Sequence, residues 1–255
     1  MVHQAFDRRK VGGAPLLGTM ITYDAPDNVE LQSQLGPDFV IIDCQHSLIT
    51  EGAARRLIYA SHTPSTAIIV RVSSGDPYKI GSVLDAGADA VIVPMVNTAY
   101  EARAVVAACN YGPAGIRSLG PTRRSLTADP RALEERVCCF VMVETEEAVS
   151  NIEEICAVPG LGGIFLGSGD LAVTMGEPLF SSIPSAALRA ASRKVAAECR
   201  AAGIIAGAYA GPGTRAKDFI DDGFDLLAIG IDWLYVRSGI CASLEEIRKL
   251  LPSST

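Results

Sequence analysis

Residues 67–94 read Ala67-Ile68-Ile69-Val70-Arg71-Val72-Ser73-Ser74-Gly75-Asp76-Pro77-Tyr78-Lys79-Ile80-Gly81-Ser82-Val83-Leu84-Asp85-Ala86-Gly87-Ala88-Asp89-Ala90-Val91-Ile92-Val93-Pro94. Two short apolar runs, Ala67–Val72 and Ala90–Pro94, flank an amphipathic segment at Tyr78–Ala86. That segment opens at Asp76-Pro77, with Pro near the first helical turn, and closes at Gly87. The apolar runs are rich in β-branched residues and too short for a buried helix, so they read as buried strands. One strand, one helix and the next strand make one βα unit.

The same unit repeats in both directions. Strands are expected at Leu16–Thr22, Asp38–Asp43, Ala67–Val72, Ala90–Pro94, Val137–Glu144, Gly163–Leu166, Ile204–Tyr209 and Leu226–Ile229. Helices are expected at Val29–Leu35, Glu51–Ser61, Tyr78–Ala86, Ala99–Cys109, Glu146–Ile155, Ala186–Ala202, Thr214–Asp222 and Ile231–Arg237, with a last amphipathic piece at Ser243–Leu251. Eight alternations without a linker imply an α/β fold, a single (β/α)8 TIM barrel with an extra C-terminal helix, as one domain over residues 1–255. A doubly wound open sheet is the alternative. Residues 110–130, rich in Pro, Gly and Arg, break the rhythm and read as a lid or a subunit contact.

Composition agrees. The chain has 255 residues, 49% hydrophobic, and only 6% aromatic, so its core is aliphatic, as parallel sheets covered by helices require. A net charge of −7 argues against a nucleic-acid partner. No apolar run is long enough for a membrane span, and the first residues lack a signal-peptide core. Seven scattered cysteines form no Cys-x-x-Cys pair and read as small buried hydrophobes in a reducing, cytoplasmic setting.

Barrel chemistry sits at the C-terminal ends of the strands. There the chain places Asp43-Cys44-Gln45-His46, Arg71, Glu144, Gly167-Ser168-Gly169-Asp170 and Tyr209. Each has a plain structural reading: Asp43 or Asp170 as a helix cap, Arg71 as a strand-end ion pair, His46 as a hydrogen-bonded surface residue. Together they converge on one mouth. Glu144 and Asp170 make an oxygen-rich site that suits a hard divalent cation, Mg2+ or Mn2+, with Co2+ or Ni2+ able to substitute. The Gly167–Asp170 turn, through Ser168 and Gly169, offers backbone amides to a substrate carboxylate. Arg71 supplies a cationic fork for a developing oxyanion, and His46 with Asp43 a proton-transfer pair. Residues 211–216 mimic a dinucleotide fingerprint, but they follow the seventh strand and are set aside.

With those residues in hand, the chain resembles the HpcH/HpaI aldolase family, the class II pyruvate aldolases. The likeness runs from Gly18-Thr19 to Gly230-Ile231-Asp232. It rests on Ile42-Asp43-Cys44-Gln45-His46, Val70-Arg71 with Asp76-Pro77, Leu84-Asp85-Ala86-Gly87, Val93-Pro94-Met95-Val96, Pro113-Ala114-Gly115-Ile116-Arg117, Val143-Glu144-Thr145 and Gly167-Ser168-Gly169-Asp170-Leu171. The resemblance implies that Glu144 and Asp170 ligate the metal, His46 is the catalytic histidine with Asp43 as its acid partner, and Arg71 binds the enolate. It further implies that Asp85 reaches the mouth of a neighbouring subunit and that the Gly169 and Asp170 amides take the pyruvate carboxylate. Hexamers, or trimers of dimers, with a swapped C-terminal helix are implied as well.

Four positions depart from the family pattern. Gln45 stands for the usual acid before the histidine, Met142 for a common glutamine, and Ser168-Gly169 for Pro-Ala. The reaction implied is reversible cleavage of a 4-hydroxy-2-oxo acid to an aldehyde and pyruvate, or a related 2-oxo acid such as hydroxypyruvate. Gln45 and Tyr209 are expected among the substrate-binding residues: Gln45 leaves one negative charge fewer beside the metal, Met142 alters contact with the pyruvoyl group, and Tyr209 reshapes the aldehyde pocket. No lysine stands at a strand end, which leaves a Schiff-base route without a nucleophile. The alternatives are a CoA-ester lyase or decarboxylating condensation, and a non-catalytic barrel that binds a 2-oxo acid.

Overall fold

The computed structural model describes residues 6, 13–61, 65–123, 125–127, 129–177, 185–211 and 214–251. Its strands are β1 (Leu16–Ile21), β2 (Phe39–Asp43), β3 (Ala67–Arg71), β4 (Ala90–Val93), β5 (Cys138–Val143), β6 (Gly163–Leu166), β7 (Ile205–Tyr209) and β8 (Leu226–Ile231). All pair in parallel with their sequence neighbours, and β8 closes onto β1, giving an eight-stranded closed barrel. The helices are α1 (Pro26–Gln34), α2 (Glu51–Ala60), α3 (Pro77–Ala86), α4 (Ala99–Cys109), α5 (Pro130–Glu135), α6 (Glu146–Ser150), α7 (Ile152–Cys156), α8 (Ser168–Thr174), α9 (Ala186–Ala202), α10 (Thr214–Asp222) and α11 (Asp232–Arg248).

Both strand faces are buried, so the strands carry continuous apolar runs rather than an alternation. The two faces nevertheless pack in different cores. Val40, Ile42, Ile68, Val70, Val141 and Val143 face the helix layer. Phe39, Ile41, Ile69, Phe140, Met142 and Phe165 fill the barrel interior, where the Phe6 ring meets Phe140 edge-on at 5.8 Å. Local chemistry starts and stops the helices. The Asp76 carboxylate accepts from the Tyr78 amide at 2.8 Å to open α3, and Gly87 closes it at φ +107°, a conformation that favours glycine. Thr98 and Glu101 form a reciprocal capping box on α4.

Four expectations change in detail. The segment 146–155 is two short helices, because Asn151 leaves helical geometry and its side chain donates to the Asn97 carbonyl at 2.9 Å. Residues 110–130 end in a short helix, α5, opened by Asp129. The Gly167–Asp170 turn is the start of α8, with Asp170 inside the first turn rather than at the cap. The pieces read at 231–237 and 243–251 belong to one continuous helix, α11, so among the described residues the extra C-terminal helix is the continuation of the eighth unit's own helix. Pro212 and Gly213 of the fingerprint mimic lie outside the described residues.

Candidate active site

The interior parity of each strand, continued by two residues, delivers the polar mouth. Phe39 and Ile41 lead to Asp43, Ala67 and Ile69 to Arg71, and Phe140 and Met142 to Glu144. Ile205 leads likewise through Gly207 to Tyr209. Side chains two apart on a strand share a face, so these groups point into the barrel over an apolar floor.

Asp43 and Arg71 are direct partners across the β2–β3 ladder. Arg71 Nε donates to Asp43 Oδ1 at 2.8 Å and Nη2 to Oδ2 at 2.6 Å, a bidentate pair. Asp43 Oδ1 also accepts from the amides of Gln45 at 2.9 Å and His46 at 3.3 Å, and the Ser47 hydroxyl holds the Asp43 carbonyl. The carboxylate is therefore committed to Arg71 and two backbone amides. It meets His46 through the main chain, not as an acid on the imidazole, which stands exposed at the rim. What remains of the guanidinium is Nη1, whose contact is the Met142 thioether at 3.9 Å, a weak acceptor.

Glu144 is buried, 1% exposed, yet only half satisfied. Oε1 accepts from the Met95 amide at 2.6 Å, while Oε2 is buried without a hydrogen-bond partner. Met95 holds that amide in place at φ +57°, a costly conformation for a non-glycine residue. Burial first, and then the neighbouring Asp170 carboxylate, pushes the Glu144 carboxyl above its ordinary pKa. A Cβ on Gly167 would lie 2.6 Å from Glu144 Oε2, so only glycine lets α8 begin this close to the carboxylate. An orphaned buried oxygen beside a second, exposed carboxylate fits a hard cation that keeps several waters. Among the described residues no group of three or more His, Cys, Asp or Glu side chains gathers as a metal cage.

The other expected residues separate. Gln45 is partly buried, with its Oε1 unpartnered. Ser168 and Gly169 open α8, whose first backbone bond, Leu171 to the Gly167 carbonyl, leaves the preceding amides free of that ladder. Tyr209 is half-exposed at the end of β7. Cys44, of opposite parity to Asp43, packs in the helix-layer core with its thiol pushed up to about 12, first by burial and then by Glu51 and Asp43, and is inert. Asp85 does not join them. It sits in the last turn of α3, which returns from the mouth to the start of β4, at the opposite end of this barrel. There it pairs with the buried Arg117 at 2.7 Å.

Two residues were not anticipated. Met95 carries no sequence signal for its positive φ. Asp232 was hidden by an irregularity in β8: Gly18 pairs with Ala228 but Met20 with Ile231, so an unbroken two-residue walk from Leu226 and Ala228 does not reach it. Its carboxylate accepts from the amides of Thr22 at 2.8 Å and Tyr23 at 2.9 Å, the Thr22 hydroxyl at 2.5 Å and Asn28 Nδ2 at 2.9 Å, clamping the β8–β1 seam at the mouth.

Known proteins carry the same arrangement of strands and helices. The sequence profile described as HpcH/HpaI aldolase/citrate lyase matches residues 20–238. The chain is 35% identical over 241 residues to a hydroxypyruvate/pyruvate aldolase of Rhizorhabdus wittichii, covering 93% of this chain and 96% of that protein. It is 37% identical to a 4-hydroxy-2-oxovalerate aldolase of Novosphingobium aromaticivorans, covering 93% and 92%. A solved HpcH/HpaI aldolase/citrate lyase family protein from Burkholderia cenocepacia J2315 superposes with a TM-score of 0.87 at 24% identity, over 97% of this chain and all of that one, a likeness of fold. From the span of that profile and the extent of those identities, the chain belongs to the HpcH/HpaI aldolase/citrate lyase family.

Proposed function

We propose that this chain is an aldolase, a carbon–carbon lyase, that reversibly cleaves a 4-hydroxy-2-oxo acid to an aldehyde and pyruvate or hydroxypyruvate. The observation that carries the reading is the unpartnered, buried Oε2 of Glu144 beside Asp170, across the same mouth from a rigidly paired Arg71. Membership of the family and the names of the relatives point the same way. Glu144 and Asp170 would hold a divalent cation, Mg2+ or Mn2+. When bound, it supplies Lewis acidity toward the 2-keto oxygen of the substrate.

The chain's own residues do the rest. Asp43 fixes the Arg71 plane, so that Nη1 donates to the oxygen on which negative charge develops, with no reorganisation at the moment of reaction. The Gly169 and Asp170 amides receive the donor carboxylate at the start of α8. The exposed His46 imidazole moves the proton of the C4 hydroxyl during cleavage and returns one in the reverse direction. Lys79 is committed to Ser73 Oγ at 2.6 Å and lies 4.0 Å from Glu51, which leaves it poorly placed as a Schiff-base nucleophile. Among the described residues no helix is long and apolar enough to cross a membrane.

The reading includes a homo-oligomer. Beyond its first turn α11 presents an exposed apolar stripe, Val236, Ile240, Leu244 and Ile247, at helical spacing. Such a stripe is costly to leave in water and suits a second copy of the chain. The test of the activity is cleavage of 4-hydroxy-2-oxovalerate after exhaustive chelation. Activity should vanish with EDTA and return with Mn2+ or Mg2+. Full activity without metal, or a borohydride-trapped lysine adduct, would overturn the reading.

A further inference from the structure

The turn that leaves β4 is held more tightly than a connection from a strand to a helix requires. Met95 stands at φ +57°, and among the described residues every other positive φ belongs to a glycine. A side chain in that region costs stability, and such residues persist where the surroundings over-determine them. The Met95 side chain, 53% exposed, offers little burial in return. Its backbone offers more: the Met95 amide donates to Glu144 Oε1 at 2.6 Å.

The rest of the turn is clasped to the same segment. The Val96 amide donates at 3.3 Å to the carbonyl of Met142, two residues before Glu144. The hydroxyl of Thr145, one residue after it, donates to Asn97 Oδ1 at 2.5 Å, and Asn151 Nδ2 donates to the Asn97 carbonyl at 2.9 Å. Residues 95–97 therefore grip the end of β5 on both sides of Glu144. The carboxylate is left with two unlike oxygens. Oε1 is taken by the amide, whereas Oε2 is buried without a partner and kept clear by the missing Cβ of Gly167.

We propose that Met95 is a positioning residue for the cation site: its left-handed backbone commits Glu144 Oε1 to the protein, so that the carboxylate offers the cation Oε2 alone. This rests on the reading of Glu144 as a metal ligand. A carboxylate free to swing could present either oxygen or both, and it would lose that freedom when the cation binds. Held by a charge-assisted hydrogen bond, it is ordered beforehand. Methionine suits the task better than glycine, because glycine leaves the peptide free to depart from the left-handed region.

The test is Mn2+ affinity by calorimetry, which reads the site without any substrate. Met95→Val keeps an apolar side chain but disfavours the left-handed region, whereas Met95→Asn changes the side chain and tolerates that region. Mn2+ should bind Met95→Val about tenfold more weakly than wild type, the loss expected for one hydrogen bond to a charged group. Met95→Asn should restore the affinity to within about threefold of wild type. The opposite order would make the side chain the active part and overturn the proposal. An α-hydroxy acid introduced at residue 95 by nonsense suppression replaces the N–H by an ester oxygen and removes the donor alone. That variant should bind Mn2+ at least about tenfold more weakly, and it decides the matter where Met95→Val does not fold. Wild-type affinity in the ester variant overturns the proposal and leaves Glu144 a ligand. Wild-type protein that binds no Mn2+, or Glu144→Gln that binds it as tightly, sinks the metal reading and this inference with it.

Discussion

Replacing Asp43 by Asn removes one negative charge from beneath Arg71 and turns one acceptor into a donor that faces a guanidinium. The pair is deeply buried, with side chains 10% and 2% exposed, so solvent screening does little to soften the loss. Asn Oδ1 can still accept from Arg71 Nε and from the Gln45 and His46 amides, so the damage concentrates on the 2.6 Å contact to Nη2. Breaking a buried pair by removing one partner costs about 3–5 kcal/mol, because an uncompensated charge stays behind. With a urea m-value of about 3 kcal/mol/M, that moves the unfolding midpoint by roughly 1–2 M. Turnover should fall as well, because nothing else aims Nη1. Equilibrium urea unfolding of Asp43→Asn, Arg71→Met and the double variant separates the terms: the double variant should lose about 2 kcal/mol less than the sum of the singles. A midpoint within about 0.3 M of wild type, with normal turnover, would refute the argument that Asp43 holds Arg71.

Other expectations follow from the same geometry. Arg71→Lys keeps the charge but loses the fork, so kcat should fall by about 10²-fold or more with the fold intact; normal turnover would make Arg71 a structural strand-end residue. Gln45→Glu places a carboxylate where the unpartnered Gln45 Oε1 now lies, so Mn2+ affinity measured by calorimetry should rise by about tenfold. Unchanged affinity would mean that residue 45 faces away from the cation. Burial tends to raise the Glu51 carboxyl, but the Ser73 amide and hydroxyl and the Lys79 charge outweigh it and hold its pKa below the ordinary value. A depressed carboxylate stabilises above its unfolded pKa and loses that contribution as pH falls through the folded one. Between pH 5 and about 3 the Tm of wild type should therefore drop more than that of Glu51→Gln; parallel curves would remove Glu51 from the acid response.

The barrel was legible because parallel strands buried on both faces leave short apolar runs, and because Asp76-Pro77 and Gly87 mark helix ends by local chemistry. Glu144 and Arg71 were legible for a related reason, as polar residues ending otherwise apolar strands. What escaped was non-local. The β2–β3 register sets Asp43 opposite Arg71, and that pairing, unlike the three-residue spacing to His46, depends on a strand 28 residues away. The structural reading of Arg71 as an ion-paired residue holds alongside its position at the mouth. Asp85 illustrates a direction that sequence does carry: α3 runs back from the mouth, so its last turn lies at the far end of its own barrel. The unbroken α11 was hidden by Ser238-Gly239, poor helix formers that read as a stop.

The central claim is that the half-satisfied Glu144, with Asp170, creates a metal-dependent enolisation site opposite Arg71. Exchange of deuterium from solvent into the methyl group of pyruvate, followed by NMR, tests it without knowledge of the natural aldehyde. Wild-type protein with Mn2+ or Mg2+ should exchange the methyl protons, and the same protein with EDTA should not. Glu144→Gln should bind metal poorly and lose exchange while keeping its fold. Metal-independent exchange, or exchange at the wild-type rate by Glu144→Gln, would contradict the account.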